Sequence, residues 1–351
     1  FAIPRCATVP FTVGVTAIIG DDHAAAALAI FSLVFFAVVL AFSLWPGKIL
    51  IWIGKILNPL FLVFLGIMVI RALISPMGDI SAIEPSGGYA TQPFFTGFLD
   101  GYNTMDALAG LAFGIVVVNV IRGLGIDKPE GVAASTVKSG ILSCAIMALI
   151  YIAVTVVGTQ TRGIYDICEN GGEVLALIAE HYFGRAGALI LAGTVTFACL
   201  KTAVGLITSC SETFEKMFPK GPSYRVWAII FCVVSFLIAN LGLSTIIEFS
   251  VPVLMFLYPL AITLILLALC GKFFGNDRIV YALVTGFTLV AAVFDFIAAL
   301  PKSVVAAAHL DVVIEFMKSY MPLFKLGLGW VIPAAVGLVI GLIIHAARKK
   351  A

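Results

Sequence analysis

A cluster of polar side chains interrupts an otherwise apolar stretch at residues 97–114. The cluster consists of Asp100, Tyr102, Asn103, Thr104 and Asp106. The apolar run around it, residues 94–121, is long enough to cross a bilayer, which takes about 20 residues. A carboxylate at membrane depth is unfavourable by roughly 2.5–3.5 kcal/mol on insertion scales. Polar residues at this depth therefore indicate a binding site for a polar solute inside the membrane.

Glycines at positions 97, 101, 110 and 114 weaken the helix that carries this cluster. If the helix opens between Gly101 and Asp106, free N–H groups and a helix N-terminus would bind a carboxylate. Tyr102, Asn103 and Thr104 could add hydrogen bonds. Asp106 could meet an ammonium group or hold a neighbouring helix, and the sequence leaves both open. The alternative for the whole stretch is a glycine-rich helix packed tightly against its neighbours, although packing alone needs no carboxylates.

A second group of polar side chains lies at residues 193–209. Its hydroxyls include Thr194, Thr196, Thr202 and Thr208. Hydroxyls with backbone carbonyls suit a hard cation such as sodium, although a helical threonine more often bonds to its own backbone. Lys201 lies too deep in the stretch to reach water easily, so we expect it to face a cavity or a carboxylate. Its ammonium could replace a sodium ion, or a buried Lys201 could carry a proton.

Two further acidic residues lie in apolar stretches. Glu248 is expected near one membrane surface, and the sequence does not show whether Asp295 faces protein or lipid. The four histidines fall in loops or at the tail, where we expect solvated or interfacial roles. The seven cysteines are scattered without a CxxC spacing, so we interpret them as small apolar residues and not as ligands or disulfides.

Composition places the chain among membrane proteins. Of 351 residues, 62% are hydrophobic and 11% are charged, whereas a soluble domain carries about 25% charged residues. The net charge of +2 gives no reason to expect a nucleic-acid partner. The sequence lacks GxxxxGK[ST] and HExxH, so we expect no ATP site, no catalytic residues, no cofactor and no metal beyond a possible sodium ion.

The hydrophobic pattern predicts an all-α polytopic membrane protein, a single transmembrane domain over residues 1–351. Ten spans are predicted, at residues 2–19, 24–44, 57–74, 94–121, 132–157, 186–209, 226–240, 244–269, 279–300 and 328–346. Residues 173–183 and 303–320 alternate polar and apolar positions, which is typical of helices lying at the membrane surface. Fourteen Lys and Arg residues fall on one predicted side and six on the other, which places the C-terminus in the cytoplasm.

Four segments carry a resemblance to a known family. They read GYNTMDALAGLAFGIVVVN, IPRCATVPFTVGV, FACLKTAVGLITSCSETF and SVPVLMFLYPLAI. The chain resembles, over residues 1–346, the branched-chain amino acid:cation symporter family, the bacterial system II carriers. This resemblance implies inward symport of L-leucine, L-isoleucine and L-valine with sodium or protons, across the lipid bilayer of the bacterial inner membrane.

The resemblance also implies a LeuT-like fold of twelve helices, the first ten forming two inverted repeats. On that mapping the chain has ten of the twelve, because the first two helices are missing. The implied substrate site comprises Gly101, Tyr102, Asn103, Thr104, Met105 and Asp106, with Ala7, Thr8 and Phe11 lining an apolar pocket. Relatives carry a threonine pair in the eighth helix; here Lys201 replaces the first, a sodium ligand in the fold, and Thr202 remains. The resemblance therefore implies proton coupling, or a sodium site filled by the ammonium.

Two alternatives remain open at this stage. The first is a related carrier with another neutral amino acid as its substrate. The second is a truncated remnant that does not transport, since the chain begins at Phe1 inside an apolar segment and the N-terminal helices are expected to be missing.

Overall fold

The computed structural model describes residues 1–16, 23–45 and 48–350, without the side chains of residues 48–58, 116, 349 and 350. All regular elements in these ranges are helical, which confirms the predicted all-α class. In chain order the α-helices are α1 (Ala2–Pro10), α2 (Ala24–Leu44), α3 (Lys48–Ile74), α4 (Gly88–Thr91), α5 (Pro93–Asp100), α6 (Asp106–Gly123), α7 (Pro129–Thr161), α8 (Gly171–Met217), α9 (Tyr224–Ala239), α10 (Leu243–Cys270), α11 (Arg278–Ala298), α12 (Lys302–Ala307), α13 (Asp311–Tyr320) and α14 (Val331–Lys350). A π-helix (Phe11–Val15) follows α1 directly.

The chain forms two compact units. Unit one comprises Phe1–Glu84 and Ser143–Ile246, and unit two comprises Pro85–Leu142 and Ile247–Ala351. Each unit combines two separate stretches of sequence, and α7 and α10 contribute residues to both. The single domain over residues 1–351 stays a prediction.

Seven helical segments are long and apolar enough to cross a membrane among the residues described. They are Ala24–Leu44, Pro93–Gly123, Pro129–Thr161, Gly171–Met217, Leu243–Phe274, Arg278–Ala298 and Val331–Arg348. Two shorter apolar helices, Pro59–Ile74 and Tyr224–Ala239, fall where further spans are predicted. The first predicted span, residues 2–19, runs into residues 17–22, outside the described ranges. The structure thus supports a polytopic architecture, and the number ten stays a prediction.

Helix α8 is the centre of unit one. It packs against α1 with its π-helix, and against α2, α3 and α9. A side chain at Gly14 would collide with Ala192 of α8, so glycine permits close approach of the π-helix to α8. In a lipid bilayer the hydrophobic effect does not drive apolar helices together. Close packing of this kind must therefore hold such helices together.

The start of α8 is a separate helix that ends at Gly184. Gly184 has φ 61° and ψ −161°, a conformation open essentially only to glycine, and it divides residues 171–183 from residues 185–217. Asn170 caps this helix, since its Oδ1 accepts hydrogen bonds from the N–H groups of Gly172 and Glu173 at 3.0 and 3.2 Å. Its amide donates to Glu173 at 2.7 Å and to Ser244 at 3.2 Å. The predicted surface location of residues 173–183 stays a prediction.

In unit two, α11 and α14 form a close pair along two glycines. A Cβ at Gly337 would lie 3.0 Å from the Cα of Val284, and one at Gly341 would lie 3.0 Å from the Cα of Val280. Such contact of backbone with backbone is the arrangement that small residues four positions apart allow in membranes.

A contact between Asp277 and His345 joins α11 and α14 at one end. Asp277 caps α11 by accepting a hydrogen bond from Ile279 N at 2.9 Å, and its Oδ2 lies 2.7 Å from Nδ1 of His345. The N–H of Ile279, and then His345, hold the pKa of the Asp277 carboxyl below its usual range. The predicted helix at residues 303–320 is present as two helices, α12 and α13, separated by His309 with φ 51°.

Candidate functional site

The polar stretch in unit two is a true interruption between two helices. Helix α5 ends at Asp100, residues Gly101–Thr104 form one 3-10 turn, and α6 begins at Asp106. Met105 joins them with φ 60° and ψ 14°, the left-handed conformation. The i−4 hydrogen-bond ladder is therefore broken inside a 31-residue apolar segment.

Backbone groups remain available at this interruption. The turn closes through Met105 N to Tyr102 O at 3.1 Å, and the Thr104 hydroxyl donates to Gly101 O at 2.8 Å. In the chain as described, the N–H groups of Ala107 and Leu108 have no backbone acceptor. The Ala107 N–H lies close to the Tyr258 hydroxyl, so the Leu108 N–H and the positive end of the α6 dipole are the groups that can bind a carboxylate.

Asp106 gives the interruption a negative charge as well. It is the first residue of α6 and is half-buried. The carbonyl end of α5 faces the same interruption, so an ammonium group would find both a carboxylate and a partial negative charge here. The arrangement therefore offers groups of opposite sign to the two charged ends of an amino acid. Whether Asp106 instead anchors a neighbouring helix stays open.

Tyr102 is held in place by aromatic packing. Its ring is 5% exposed and stacks on Tyr258 of α10, with centroids 4.1 Å apart and an interplanar angle of 4°. Phe98 packs edge-on at 5.5 Å from the other side. The Tyr258 hydroxyl lies close to the N–H groups of Met105 and Ala107. Helix α10 thus supports the interrupted segment directly.

A second acidic group lies just outside the interruption. The Tyr89 hydroxyl donates to the Asp100 carboxylate at 2.6 Å. This hydrogen bond to the carboxylate, together with burial, raises the pKa of Tyr89 to about 12. Asp100 is exposed and already has a partner, which makes it a support for the end of α5.

The residues expected to line an apolar pocket are packed inside unit one. Ala7 is 0% exposed, Thr8 is 1% exposed and Phe11 is 5% exposed. The Thr8 hydroxyl bonds to the backbone at Pro4 O, 3.4 Å away. Ala7 and Thr8 have almost no accessible surface, so they line no open pocket in this conformation. Their role in substrate binding stays a prediction that requires another conformation.

Lys201 is exposed in this structure, and the expectation that it faces a cavity or a carboxylate stays a prediction. The buried face of this part of α8 repeats at Leu200, Ala203, Val204 and Ile207, and Lys201 lies outside that helical stripe. Within the described ranges no carboxylate pairs with it. Its substitution for a cation stays a prediction.

The threonines of α8 mostly bond to their own helix. Thr194, Thr196 and Thr202 donate to backbone carbonyls four residues earlier, at 2.8, 2.6 and 3.0 Å. Thr208 instead accepts from the Tyr224 hydroxyl at 3.4 Å. The interpretation that these threonines bond to the backbone of their own helix is therefore confirmed for three of the four threonines. The described residues contain no group of three His, Cys, Asp or Glu side chains that could hold a metal ion.

Sequence reasoning missed Tyr258 and Trp330. Tyr258 precedes Pro259 inside a segment that carries the family resemblance, yet its stacking on Tyr102 follows only from the packing of α10. Asp295, whose orientation the sequence leaves open, faces protein and is 6% exposed.

Comparison with known proteins decides the family. Residues 1–348 match the sequence profile described as branched-chain amino acid transport protein. The chain belongs to this family. It is 51% identical to the branched-chain amino acid permease BrnQ of Lactobacillus delbrueckii subsp. lactis, over 100% of this chain and 78% of the relative.

Further relatives carry similar names. The permease BrnQ of Bacillus subtilis (strain 168) is 39% identical over 100% of this chain and 78% of its own length. The branched-chain amino acid transport system 2 carrier protein of Pseudomonas aeruginosa is 37% identical over 98% and 75%. No solved structure matches the chain. Membership of this transport family, with the apolar helices, makes the chain a multi-pass membrane protein and confirms the predicted family.

Proposed function

We propose that this chain carries leucine, isoleucine and valine inward across the bacterial inner membrane by symport with a proton or a sodium ion. Its relatives are named permeases and carriers for branched-chain amino acids, which supports the substrate class. The proposed arrangement is LeuT-like, with ten of twelve helices in the chain and a cytoplasmic C-terminus. The excess of Lys and Arg on that side supports the orientation.

The interruption at Gly101–Thr104 is the observation that carries the mechanism. Discontinuous helices at the bilayer midplane bind the substrate in many secondary transporters. We assign the substrate carboxylate to the N–H groups at the start of α6 and the ammonium to Asp106 and the carbonyl end of α5. Tyr102, Asn103 and Thr104 complete the polar part of the site, and Ala7, Thr8 and Phe11 meet the aliphatic side chain in another conformation. Lys201 and Thr202 occupy the place of the coupling cation.

Transport in proteoliposomes tests this function. The complete gene product that contains this chain is reconstituted, and labelled leucine uptake is followed under an imposed sodium gradient and, separately, an imposed pH gradient. Uptake driven by either gradient, with competition by isoleucine and valine, supports the proposal. Uptake that another neutral amino acid inhibits more strongly than these two would favour the related carrier. Absence of uptake by a folded protein would favour the non-transporting remnant.

A matched pair of variants tests the site itself. Asp106→Asn removes the charge that meets the ammonium, so leucine uptake should fall by about tenfold or more, since a charge-assisted hydrogen bond is worth roughly 1.5–3 kcal/mol. Asp127→Asn makes the same chemical change in an exposed loop beyond α6 and should leave uptake unchanged. Equal effects of the two variants would remove Asp106 from the site.

A further inference from the structure

In the described part of unit two, three buried polar atoms have no hydrogen-bond partner. They are Oδ2 of Asp295, the Tyr102 hydroxyl and the indole nitrogen of Trp330. The three residues are 6%, 5% and 7% exposed. Buried polar atoms are almost always bonded, so unpartnered ones call for an explanation. Here three of them come from separate elements, namely α11, the interrupted segment and the residue before α14.

These atoms lie in one neighbourhood. Asp295 and Trp330 both lie near enough to Tyr102 to act on it electrostatically. Trp330 makes no hydrogen bond of standard geometry with Tyr102. Gly329 brings the chain directly against the carboxyl, because a Cβ there would lie 3.3 Å from Oδ1 of Asp295. The same Cβ would lie 2.8 Å from the Phe324 ring and 3.4 Å from the Met321 sulfur. The carboxyl is therefore enclosed on this side by aromatic and thioether groups.

An ionised carboxylate in such surroundings is unfavourable unless a positive charge neutralises it. No Lys or Arg pairs with Asp295 in the described part of the chain. A sodium ion needs several oxygen ligands, whereas the groups against the carboxyl on this side are the Phe324 ring and the Met321 sulfur. A proton neutralises the Asp295 carboxylate without requiring further ligands. Once protonated, the carboxyl is neutral and becomes an O–H donor.

We propose that Asp295 is a proton-binding site which acts on the interrupted helix through Tyr102. The proton adds to Oδ2 from water on one side of the membrane and leaves to water on the other. No other bond forms or breaks. Binding removes the charge of the carboxyl and adds an O–H donor in the neighbourhood of Tyr102, whose ring forms part of the interruption at Gly101–Thr104. The coupling of this proton to amino-acid movement rests on the proposed function; the proton site itself does not.

The other ionisable groups of unit two have to be told apart from Asp295. Tyr102 is the one next to it, and Tyr258 of α10 stacks behind Tyr102. On α14, His345 pairs with Asp277 at the start of α11, far along the helix from Asp295. The charged side chains of α12 and α13 are exposed: Lys302, Asp311, Glu315 and Lys318. Asp106 at the start of α6 is a second, half-buried carboxyl of unit two, so a titration is assigned to Asp295 by comparing its variants.

Infrared difference spectroscopy tests the proton site without requiring transport. The complete gene product in liposomes is titrated from about pH 5 to 9, a range in which ordinary carboxyls stay ionised. The expected result is a carbonyl band of a protonated carboxyl that disappears as pH rises. It should be absent in Asp295→Asn and present in Asp311→Asn, which makes the same change on an exposed residue of the same unit. A band that persists in Asp295→Asn, or one that never changes with pH, would overturn the proposal, as would a band that sodium removes at constant pH.

Transport then tests coupling. In Asp295→Asn, leucine accumulation driven by a pH gradient should fall to the level measured without a gradient. Exchange of leucine for leucine should continue, because the amide imitates the protonated carboxyl. Asp295→Glu should restore part of the gradient response. If the wild type transports no leucine yet shows the titrating band, the proposed function fails and the proton site stands. If leucine uptake is normal and Asp295→Asn keeps its response to pH, the coupling through Asp295 is overturned while the proposed function stands.

Discussion

The rings of Tyr102 and Tyr258 lie parallel with their centroids 4.1 Å apart. One ring belongs to the interrupted segment and the other to α10, so the stack fixes a non-helical turn against a continuous helix. A turn without its own hydrogen-bond ladder needs support of this kind. The stack explains how residues 101–104 keep a defined shape within an apolar segment.

Removing the Tyr258 ring should therefore loosen the interruption. Tyr258→Ala is expected to lower the free energy of unfolding by about 3–5 kcal/mol, as large aromatic truncations in packed interiors do. Tyr258→Phe keeps the stack and should change the free energy by less than about 1.5 kcal/mol. Melting temperature in detergent measures both. A Phe variant as unstable as the Ala variant would show that the hydroxyl, and not the ring, supports the segment.

Met105 adopts a conformation that side chains disfavour. A left-handed residue other than glycine is strained by roughly 1–2 kcal/mol, and a β-branched side chain makes this worse. Met105→Val should reduce both melting temperature and leucine uptake. Met105→Gly relieves the strain and should melt at or slightly above the wild-type temperature. A Val variant that matches the wild type would contradict the left-handed turn.

The cap of α8 predicts a graded loss of stability. Asn170→Ala removes the acceptor for two N–H groups and the donor to Ser244, and should lower the free energy of unfolding by about 1–2 kcal/mol. Asn170→Ser keeps a cap oxygen and should lose roughly half as much. Chemical denaturation in detergent measures the difference. Equal losses would indicate that the amide donation to Glu173 and Ser244 dominates.

Lys201 offers a test of ion coupling with little structural disturbance, because its side chain is exposed and unpaired in the described part of the chain. Lys201→Thr restores the threonine pair and should increase the dependence of leucine uptake on sodium. Lys216→Thr, near the end of the same helix, is the matched control and should have no effect on coupling. If sodium dependence is the same in all three proteins, Lys201 lies away from the cation.

The Asp277 carboxyl, which accepts from the Ile279 N–H and contacts His345, gives a pH dependence of known sign. The pKa of Asp277 in the folded protein lies below its usual range, near pH 4 for an ordinary aspartate. Its contribution to stability is therefore complete above that range and is lost as pH falls through the lowered pKa. Melting temperature should drop more steeply on acidification in the wild type than in Asp277→Asn. Parallel curves for the two proteins would show that the Asp277 carboxyl contributes nothing.

The sequence predicted the features that depend on local residue types. Glycines beside polar residues at 101–106 indicated where the helix opens, and the apolar runs located most spans to within a few residues. The Asn170 cap was also visible in principle, because an asparagine followed three residues later by a glutamate is a start signal for a helix. These features arise from neighbours in the chain.

The features that the sequence missed depend on distant residues. Whether Asp295 faces protein or lipid is decided by Tyr102, Gly329 and Trp330, none of which is within 30 residues of it. The exposure of Lys201 was likewise not predictable from its depth in a span, since depth does not determine which side of the helix a residue occupies. Leu200 is buried, whereas the next residue, Lys201, is exposed, because neighbouring residues point to different sides of a helix.

The glycine contacts between α11 and α14 have a practical consequence. With backbone resting on backbone at Gly337 and Gly341, neither helix can slide or rotate without opening a gap. The pair is thus a fixed reference frame inside unit two. Spin labels or fluorophores placed on its lipid-facing side, paired with probes on α5 and α6, would report how far the interrupted segment travels during a transport cycle.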